Sequence, residues 1–301
     1  MTIDQTLTLA TKQLKNKQTI PRFEAEILLA GVLKKPLEFL LSHGEKKLSR
    51  LQAAKYKLCQ KRRLKGEPIA YLIGHKEFYG LDFMVNRNVL IPRPETELII
   101  EETLKLIHGA DRSKAQPITI IDVGTGSGCI IITLAEKLSS ESRIMNYNFV
   151  ATDISPQALS VAKKNASAHH VNKKIKFIKG DLLAPLIQDS SFIIPNSQLV
   201  ILANLPYGWP AWKNNSSLDT IGLKFEPQIA LFAKKDGLEL YEKLFQQIKL
   251  LPMSCQVLCE FDPRQTIMIK KLVKKYLPQA KIQIKKDLCG LNRLLAVNLT
   301  G

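Results

Sequence analysis

Between Ile118 and Leu138 the chain reads I-T-I-I-D-V-G-T-G-S-G-C-I-I-I-T-L-A-E-K-L: an apolar run, a glycine-rich corner, then helical spacing. Ile118, Ile120, Ile121 and Val123 leave no polar face, so this strand needs cover on both sides, as parallel strands do. Ile130, Leu134 and Leu138 recur at the spacing of one helix face. Gly124, Gly126 and Gly128 permit a sharp turn and let a ligand approach bare peptide N–H groups. A strand, glycine loop and helix in this order belong to nucleotide-type cofactor sites. The dinucleotide fingerprint places glycines first, third and sixth. Here they fall first, third and fifth, and Cys129 holds the sixth place.

From this point strands and helices alternate. Strands are predicted at Ile118–Val123, Tyr147–Thr152, Ile175–Lys179, Gln198–Ala203 and Cys255–Phe261. Helices are predicted at Ser127–Leu138, Pro156–Ala168, Leu238–Leu250 and Pro263–Tyr276, with a closing β-pair at Ile282–Lys286 and Leu294–Asn298. The alternation predicts an α/β fold: an open, mostly parallel sheet with helices on both faces and ligands beyond the strands' carboxyl ends. Residues 1–66 read instead as helices starting near Asp4, Pro21, Pro36 and Ser49. The last carries Leu48, Leu51, Ala54 and Leu58 along one arc and Arg50, Lys57 and Lys61 along the next. Gly74, Gly80 and the alternation from Phe78 to Val85 predict a β-hairpin. Pro92 and Pro94 then enforce an extended segment before a helix opening at Leu98.

Charge narrows the partners. The formal net charge is +17, and residues 1–75 hold 15 Lys+Arg against 6 Asp+Glu, a balance of 15 − 6 = +9. Nine basic residues and no acidic one lie between Lys46 and Lys65. Such a run favours an anionic partner such as RNA, the ribosome or an acidic protein. A source proteome rich in lysine, with a merely solvated helix face, accounts for it as well. Five cysteines without framework spacing read as free thiols in a reducing compartment. Cys255 and Cys259 have no companion ligands, so no metal is expected. The first fifteen residues lack the apolar centre of a signal peptide. The uncharged stretch 190–212 is broken by three prolines and polar residues, so no membrane span is expected and the protein reads as cytoplasmic.

The proposed strand ends carry the chemistry. The glycine loop follows the first. Asp153 ends the second, where a carboxylate can accept both hydroxyls of a ribose. The third runs into Asp181, placed for an adenine edge or a neighbouring hydroxyl. Singly, Asp153 and Asp181 would pass for capping or turn carboxylates. The fourth ends in Asn204-Leu205-Pro206-Tyr207, which resembles the Asn/Asp-Pro-Pro-Tyr signature of methyltransferases that alkylate planar amino groups, in adenine or in the glutamine side chain. An amide nitrogen is a poor nucleophile because its lone pair is delocalised. Two acceptors, the Asn204 side-chain oxygen and the Leu205 carbonyl, can hold its hydrogens and aim that lone pair, while Tyr207 can stack on the amide plane. Orientation in a dry site is then the protein's main contribution.

The resemblance widens to nearly the whole chain. Leu90-Ile91-Pro92-Arg93-Pro94-Glu95-Thr96-Glu97 is preceded by Pro68-Ile69-Ala70-Tyr71-Leu72-Ile73-Gly74 and Glu77-Phe78-Tyr79-Gly80. Phe225-Glu226-Pro227, Asp236-Gly237-Leu238, Asp287-Leu288 and Arg293 follow. Together these resemble the release-factor glutamine N5-methyltransferase family. The resemblance implies a methyltransferase Rossmann-like sheet (94–301), a small N-terminal helical domain for substrate recognition (1–66) and a linking β-hairpin (67–93). It implies S-adenosylmethionine as cofactor, bound by Gly124, Thr125, Gly126, Ser127, Gly128, Asp153, Asp181, Leu182 and Asn204. It makes Asn204, Leu205, Pro206 and Tyr207 the catalytic turn. The implied partners are class 1 peptide chain release factors carrying a Gly-Gly-Gln loop; a monomeric enzyme is expected, with no membrane partner and no requirement for nucleic acid. A glutamine methyltransferase of ribosomal proteins and an adenine-N6 nucleic-acid methyltransferase are the alternatives. The first is disfavoured by Pro94-Glu95-Thr96-Glu97 and the second by the lack of a target-recognition domain. A nicotinamide oxidoreductase lacks its glycine at 129. Departures from the family pattern are Leu205 in place of proline, the unusual Gly208-Trp209 with Trp212 close by, and Glu260-Phe261-Asp262 in place of Glu-Ile-Gly. The tryptophans suggest a lid or a loop anchor, and the last change is expected to bear on packing rather than catalysis.

Overall fold

The computed structural model describes residues 1–14, 20–109, 116–141, 146–189, 191, 197–209, 220–251 and 254–299. The chain divides into two compact units, Met1–His75 with Lys213–Glu226, and Lys76–Trp212 with Pro227–Gly301. The first unit holds the helices Ile3–Leu14, Pro21–Leu33, Leu37–Ser42, Arg50–Arg63 and Ile69–Ile73. Leu7, Leu14, Leu28, Leu29 and Tyr56 fill its core. Ser49 caps the basic helix, its side chain accepting from the Gln52 N–H while Gln52 accepts from the Ser49 N–H.

That helix is rotated from the sequence expectation. Tyr56 and Gln60 face inward, and Leu51 and Leu58 stand 65% and 57% exposed. The tyrosine decides the rotation. Its ring is the larger apolar surface, and its hydroxyl reaches the buried Ala25 carbonyl at 3.1 Å. Ion pairs from Arg63 to Glu24 (2.8 Å) and Arg62 to Glu67 (2.7 Å) lock the same face.

In the second unit, strands β1 (His75–Phe78) and β2 (Leu81–Met84) form the predicted hairpin. Its two-residue turn, Tyr79-Gly80, has φ of 52° and 78°, the left-handed pair that tight hairpins favour. Phe78 and Phe83 from the hairpin enter the core of this unit. Buried Asn165 binds the second strand, accepting from the Met84 N–H (2.8 Å) and donating to the Met84 carbonyl (3.0 Å).

The main sheet is built from β3 (Ile118–Val123), β4 (Tyr147–Asp153), β5 (Ile175–Lys179), β6 (Gln198–Ala203), β7 (Cys255–Glu260), β8 (Lys281–Lys286) and β9 (Asn292–Leu299). Their order is β5-β4-β3-β6-β7-β9-β8. Strands β3 to β7 run parallel, and β9 is antiparallel to both neighbours. Alternate residues feed two cores. Ile121, Val123, Ile201 and Ala203 pack with Tyr241, Phe245 and Ile269 from the helices Glu239–Ile248 and Thr266–Tyr276. Ile118, Ile120, Val200 and Leu202 pack with Ile99, Ile100, Leu134 and Leu138 from the helices Glu97–His108 and Cys129–Glu141. The chain leaves β3 towards β4 on one side and returns to β6 on the other, the switch point where α/β sheets open a crevice. Among the described residues no helix is long and apolar enough to cross a membrane.

Candidate active site

Sheet register brings the predicted residues together. Val123 is level with Thr152 of β4 and Ala203 of β6, and Ala203 is level with Cys259 of β7. The residues that follow, Gly124, Asp153, Asn204 and Glu260, therefore stand along one sheet edge. A cavity opens there, lined by Gly124 to Ser127, Asp153, Asp181, Leu182 and Asn204 to Pro206, with Val89, Leu90, Pro92, Arg93 and Thr96 also on its wall.

The glycine loop is tightly self-satisfied. The N–H groups of Gly124 and Thr125 both donate to the Thr152 carbonyl at 2.9 Å, and that of Gly128 to the Thr125 carbonyl at 2.8 Å. The Gly126 N–H donates to Asp153 Oδ2 at 2.9 Å, and Asp153 Oδ1 accepts from the Ser155 N–H at 2.8 Å. These four loop N–H groups are thus not bare, contrary to the sequence reading, and offer nothing to a pyrophosphate. Gly128 does not line the cavity; a Cβ there would lie 2.6 Å from Ile132 Cδ1 and 3.2 Å from Ala162 Cβ. It is the glycine of helix packing. Beneath the loop Asp122 is buried and accepts from the Thr125 hydroxyl at 2.6 Å; burial first, with the nearby Asp153 charge adding, pushes its carboxyl up to about 7. Burial also raises Asp153, against the pull of its backbone hydrogen bonds.

Asp181 lines the cavity, but its carboxylate also pairs with Lys243. Leu182 is held in the left-handed region at φ 55°. Gln247 supports this turn, accepting from the Leu183 N–H at 2.8 Å and donating to the Asp181 carbonyl at 3.3 Å.

The Asn204–Tyr207 turn is braced by side chains from distant segments. Asn204 Nδ2 donates to Thr96 Oγ1 (2.8 Å), whose hydroxyl donates to Glu260 Oε2 (2.7 Å). The Tyr207 hydroxyl donates to Glu260 Oε1 at 3.0 Å, so Tyr207 stands behind the cavity wall rather than on it. The Tyr241 hydroxyl is shared between the carbonyls of Leu205 (3.1 Å) and Glu260. Gln265 Nε2 reaches the carbonyls of Tyr207 (2.9 Å) and Asp236 (2.7 Å). Arg264, paired with Asp262 at 2.7 Å, lies 4.9 Å from the Trp209 ring centroid, which anchors that tryptophan. Trp212 lies outside the described residues.

Sequence reasoning missed Thr96, Tyr241 and Gln265 as site residues and gave Glu260 no role of its own, whereas the Glu260 carboxylate bonds Tyr207 and Thr96 directly. One signal was present: a lone carboxylate ending the otherwise uncharged strand C-Q-V-L-C-E, beside the strand that leads to Asn204.

The cavity suits an adenosyl group. Ile130, Ile154, Ala158, Leu182 and Leu240 offer apolar surface for a flat ring, and the Asp153 carboxylate keeps lone pairs for a diol. Comparison with known proteins agrees. Residues 5–74 match the PrmC N-terminal domain and residues 114–217 a methyltransferase domain. The chain is 34% identical over 279 residues to the release factor glutamine methyltransferase of Chlorobaculum tepidum, covering 92% of this chain and 90% of that protein. It is 33% identical over 303 residues to the bifunctional methyltransferase of Rickettsia bellii, covering 93% of this chain but 51% of that protein. The chain thus spans about half the length of the bifunctional relatives it matches. Among solved structures, the catalytic domain of human METTL16 in complex with a MAT2A 3′UTR hairpin has a TM-score of 0.52 at 17% identity, covering 83% of this chain and 80% of that one. That likeness is one of fold. Residues 114–217 thus form a methyltransferase domain on a Rossmann-like sheet.

Proposed function

Because the chain belongs to the release factor glutamine methyltransferase family, we propose that it methylates N5 of the glutamine in the Gly-Gly-Gln motif of class 1 peptide chain release factors. The observation that carries this reading is the pair of acceptors at the end of β6. Asn204 turns its NH2 to Thr96, so its Oδ1 is the atom left for the cavity, and no described residue bonds it. Next to it, the Leu205 carbonyl is held by Tyr241 and retains a second lone pair. Two acceptors side by side match the two hydrogens of a primary amide.

Asp153 is assigned to the ribose hydroxyls, Gly124 to Ser127 to the cofactor's contact surface, and Asp181-Leu182 to the adenine side. When bound, S-adenosylmethionine supplies a sulfonium methyl whose thioether is the leaving group. Asn204 and Leu205 hold the amide hydrogens and aim the nitrogen lone pair at that methyl, while Pro206 excludes water. A nitrogen–carbon bond forms as the sulfur–carbon bond breaks. The alkylated nitrogen loses one proton to solvent, so no strong base is required.

The test is incubation with methyl-labelled S-adenosylmethionine and a mixture of release factors, ribosomal proteins and RNA. Label is expected on the Gly-Gly-Gln glutamine, and Asn204→Ala should lower kcat by ~10²–10³. Label on RNA or on a ribosomal protein instead would overturn the substrate assignment.

A further inference from the structure

Two buried polar side chains beside the catalytic turn take no part in the reaction as derived above. Glu260 is 1% exposed and Thr96 is 2% exposed. Burying a carboxylate is costly unless its oxygens are hydrogen bonded, and both are: Oε1 accepts from Tyr207 and Oε2 from Thr96. A carboxylate can only accept. The single Thr96 proton is therefore committed to Glu260, and its oxygen has only lone pairs to offer Asn204. Asn204 can meet that oxygen through its NH2 alone, as it does at 2.8 Å. A Thr96 hydroxyl free to rotate could equally donate to Asn204 Oδ1. The amide would then present its NH2 to the cavity and oppose the substrate's own amide hydrogens.

We propose that Glu260 and Thr96 are positioning residues acting through Asn204: the carboxylate fixes the direction of the Thr96 proton, and Thr96 thereby fixes which atom of the Asn204 amide faces the substrate. The proposal rests on the amide-methylation reading above. It gives a reason for a carboxylate at position 260 and a hydroxyl at position 96, which lie 164 positions apart and share no local motif. The same carboxylate holds the Tyr207 hydroxyl, so one buried group orients both ends of the turn.

Thr96→Val keeps the shape of the side chain and removes the hydroxyl, whereas Thr96→Ser restores it. The valine variant should lower kcat about 10- to 100-fold through a mis-aimed Asn204, and the serine variant should stay within about threefold of wild type. The KM for S-adenosylmethionine should be unchanged in both. A readout independent of substrate is hydrogen exchange of the Asn204 side-chain amide by NMR, its signals assigned by their loss in Asn204→Ala. Exchange should quicken in Thr96→Val and not in Thr96→Ser. If the valine variant loses its cooperative melt, Thr96→Ala takes its place. Wild-type kcat in the valine variant, equal losses in the serine and valine variants, or identical amide exchange in all three proteins would overturn the proposal. If wild type leaves the release factor unlabelled, the substrate reading falls, and amide exchange alone decides the positioning role.

Discussion

The β3–β4 side of the cleft and the β6–β7 side are assembled by different means. On the first side the bonds are short in sequence: Thr125 to Asp122 spans 3 positions and Gly126 to Asp153 spans 27. Most partners there are backbone groups, set by loop conformation. On the second side Asn204 reaches Thr96 across 108 positions, Tyr207 reaches Glu260 across 53, and Gln265 reaches Tyr207 across 58. Those bonds are made by side chains from separate strand ends and short helices. A cofactor shelf can be built by one loop. A device that aims a nucleophile needs rigid groups converging from several elements, which only the finished sheet brings together.

If the two sides are separable, Gly237→Ala should combine the largest loss of stability with a loss of turnover that falls on the substrate side. Gly237 has φ +81°, and a Cβ there would lie 1.9 Å from the Tyr207 carbonyl oxygen and 2.6 Å from Gln265 Nε2. Neither backbone nor clamp can yield without moving the turn. Stability should fall by about 2–4 kcal/mol in denaturant titrations. Single-turnover kcat should drop ~10² while calorimetric affinity for S-adenosylmethionine stays within a few-fold. A parallel collapse of affinity would show that the sides are one mechanical unit. Asp153→Ala is the converse. It should weaken S-adenosylmethionine by about 1.5–3 kcal/mol, the scale of charge-assisted hydrogen bonds, and leave kcat at saturating donor nearly intact. Unchanged affinity in a folded variant would remove Asp153 from the cofactor site.

The same contrast explains what could be read from the residues. Strands β3, β6 and β7 lie where their apolar runs place them, because strands buried on both faces admit little polarity. The glycine corner and Asp153 were legible because their partners sit a few positions away or at a fixed βαβ spacing. Three things were not. The loop's N–H groups are turned inward, a matter of φ that glycine leaves open. The helix Arg50–Arg63 presents Leu51 and Leu58 to solvent because one tyrosine with a distant carbonyl partner outweighs two leucines on a stripe. Glu260 was given no role of its own because that role exists only through Thr96 and Tyr207, which no periodicity links to it.

The smallest predicted effect sharpens the comparison from beneath the cofactor shelf. Asp122 lies under the glycine loop, and its carboxyl is pushed from 3.8 to about 7, chiefly by burial. The folded state therefore holds this proton more tightly than the unfolded chain does. The stability contributed is complete below the unfolded value, is lost as pH rises through the window up to about 7, and is absent above it. Between pH 6 and pH 7 the loss should be roughly 1 kcal/mol, somewhat under the full slope of about 1.4 kcal/mol per pH unit. Asp122→Asn has the same shape and cannot titrate, and its Oδ1 can still accept from Thr125. Glu260, whose carboxyl burial also raises, is common to both proteins and cancels in the difference, whereas Asp153 enters it through its charge beside Asp122. Denaturant titrations from pH 5 to pH 8 should show wild type losing stability relative to Asp122→Asn as pH rises; parallel curves would mean that Asp122 does not titrate in this range. The variant should keep its kcat at saturating donor, because Asp122 braces the loop and not the catalytic turn. A fall in kcat would mean that a charge under one side of the cleft reaches the other, and the division between them would fail.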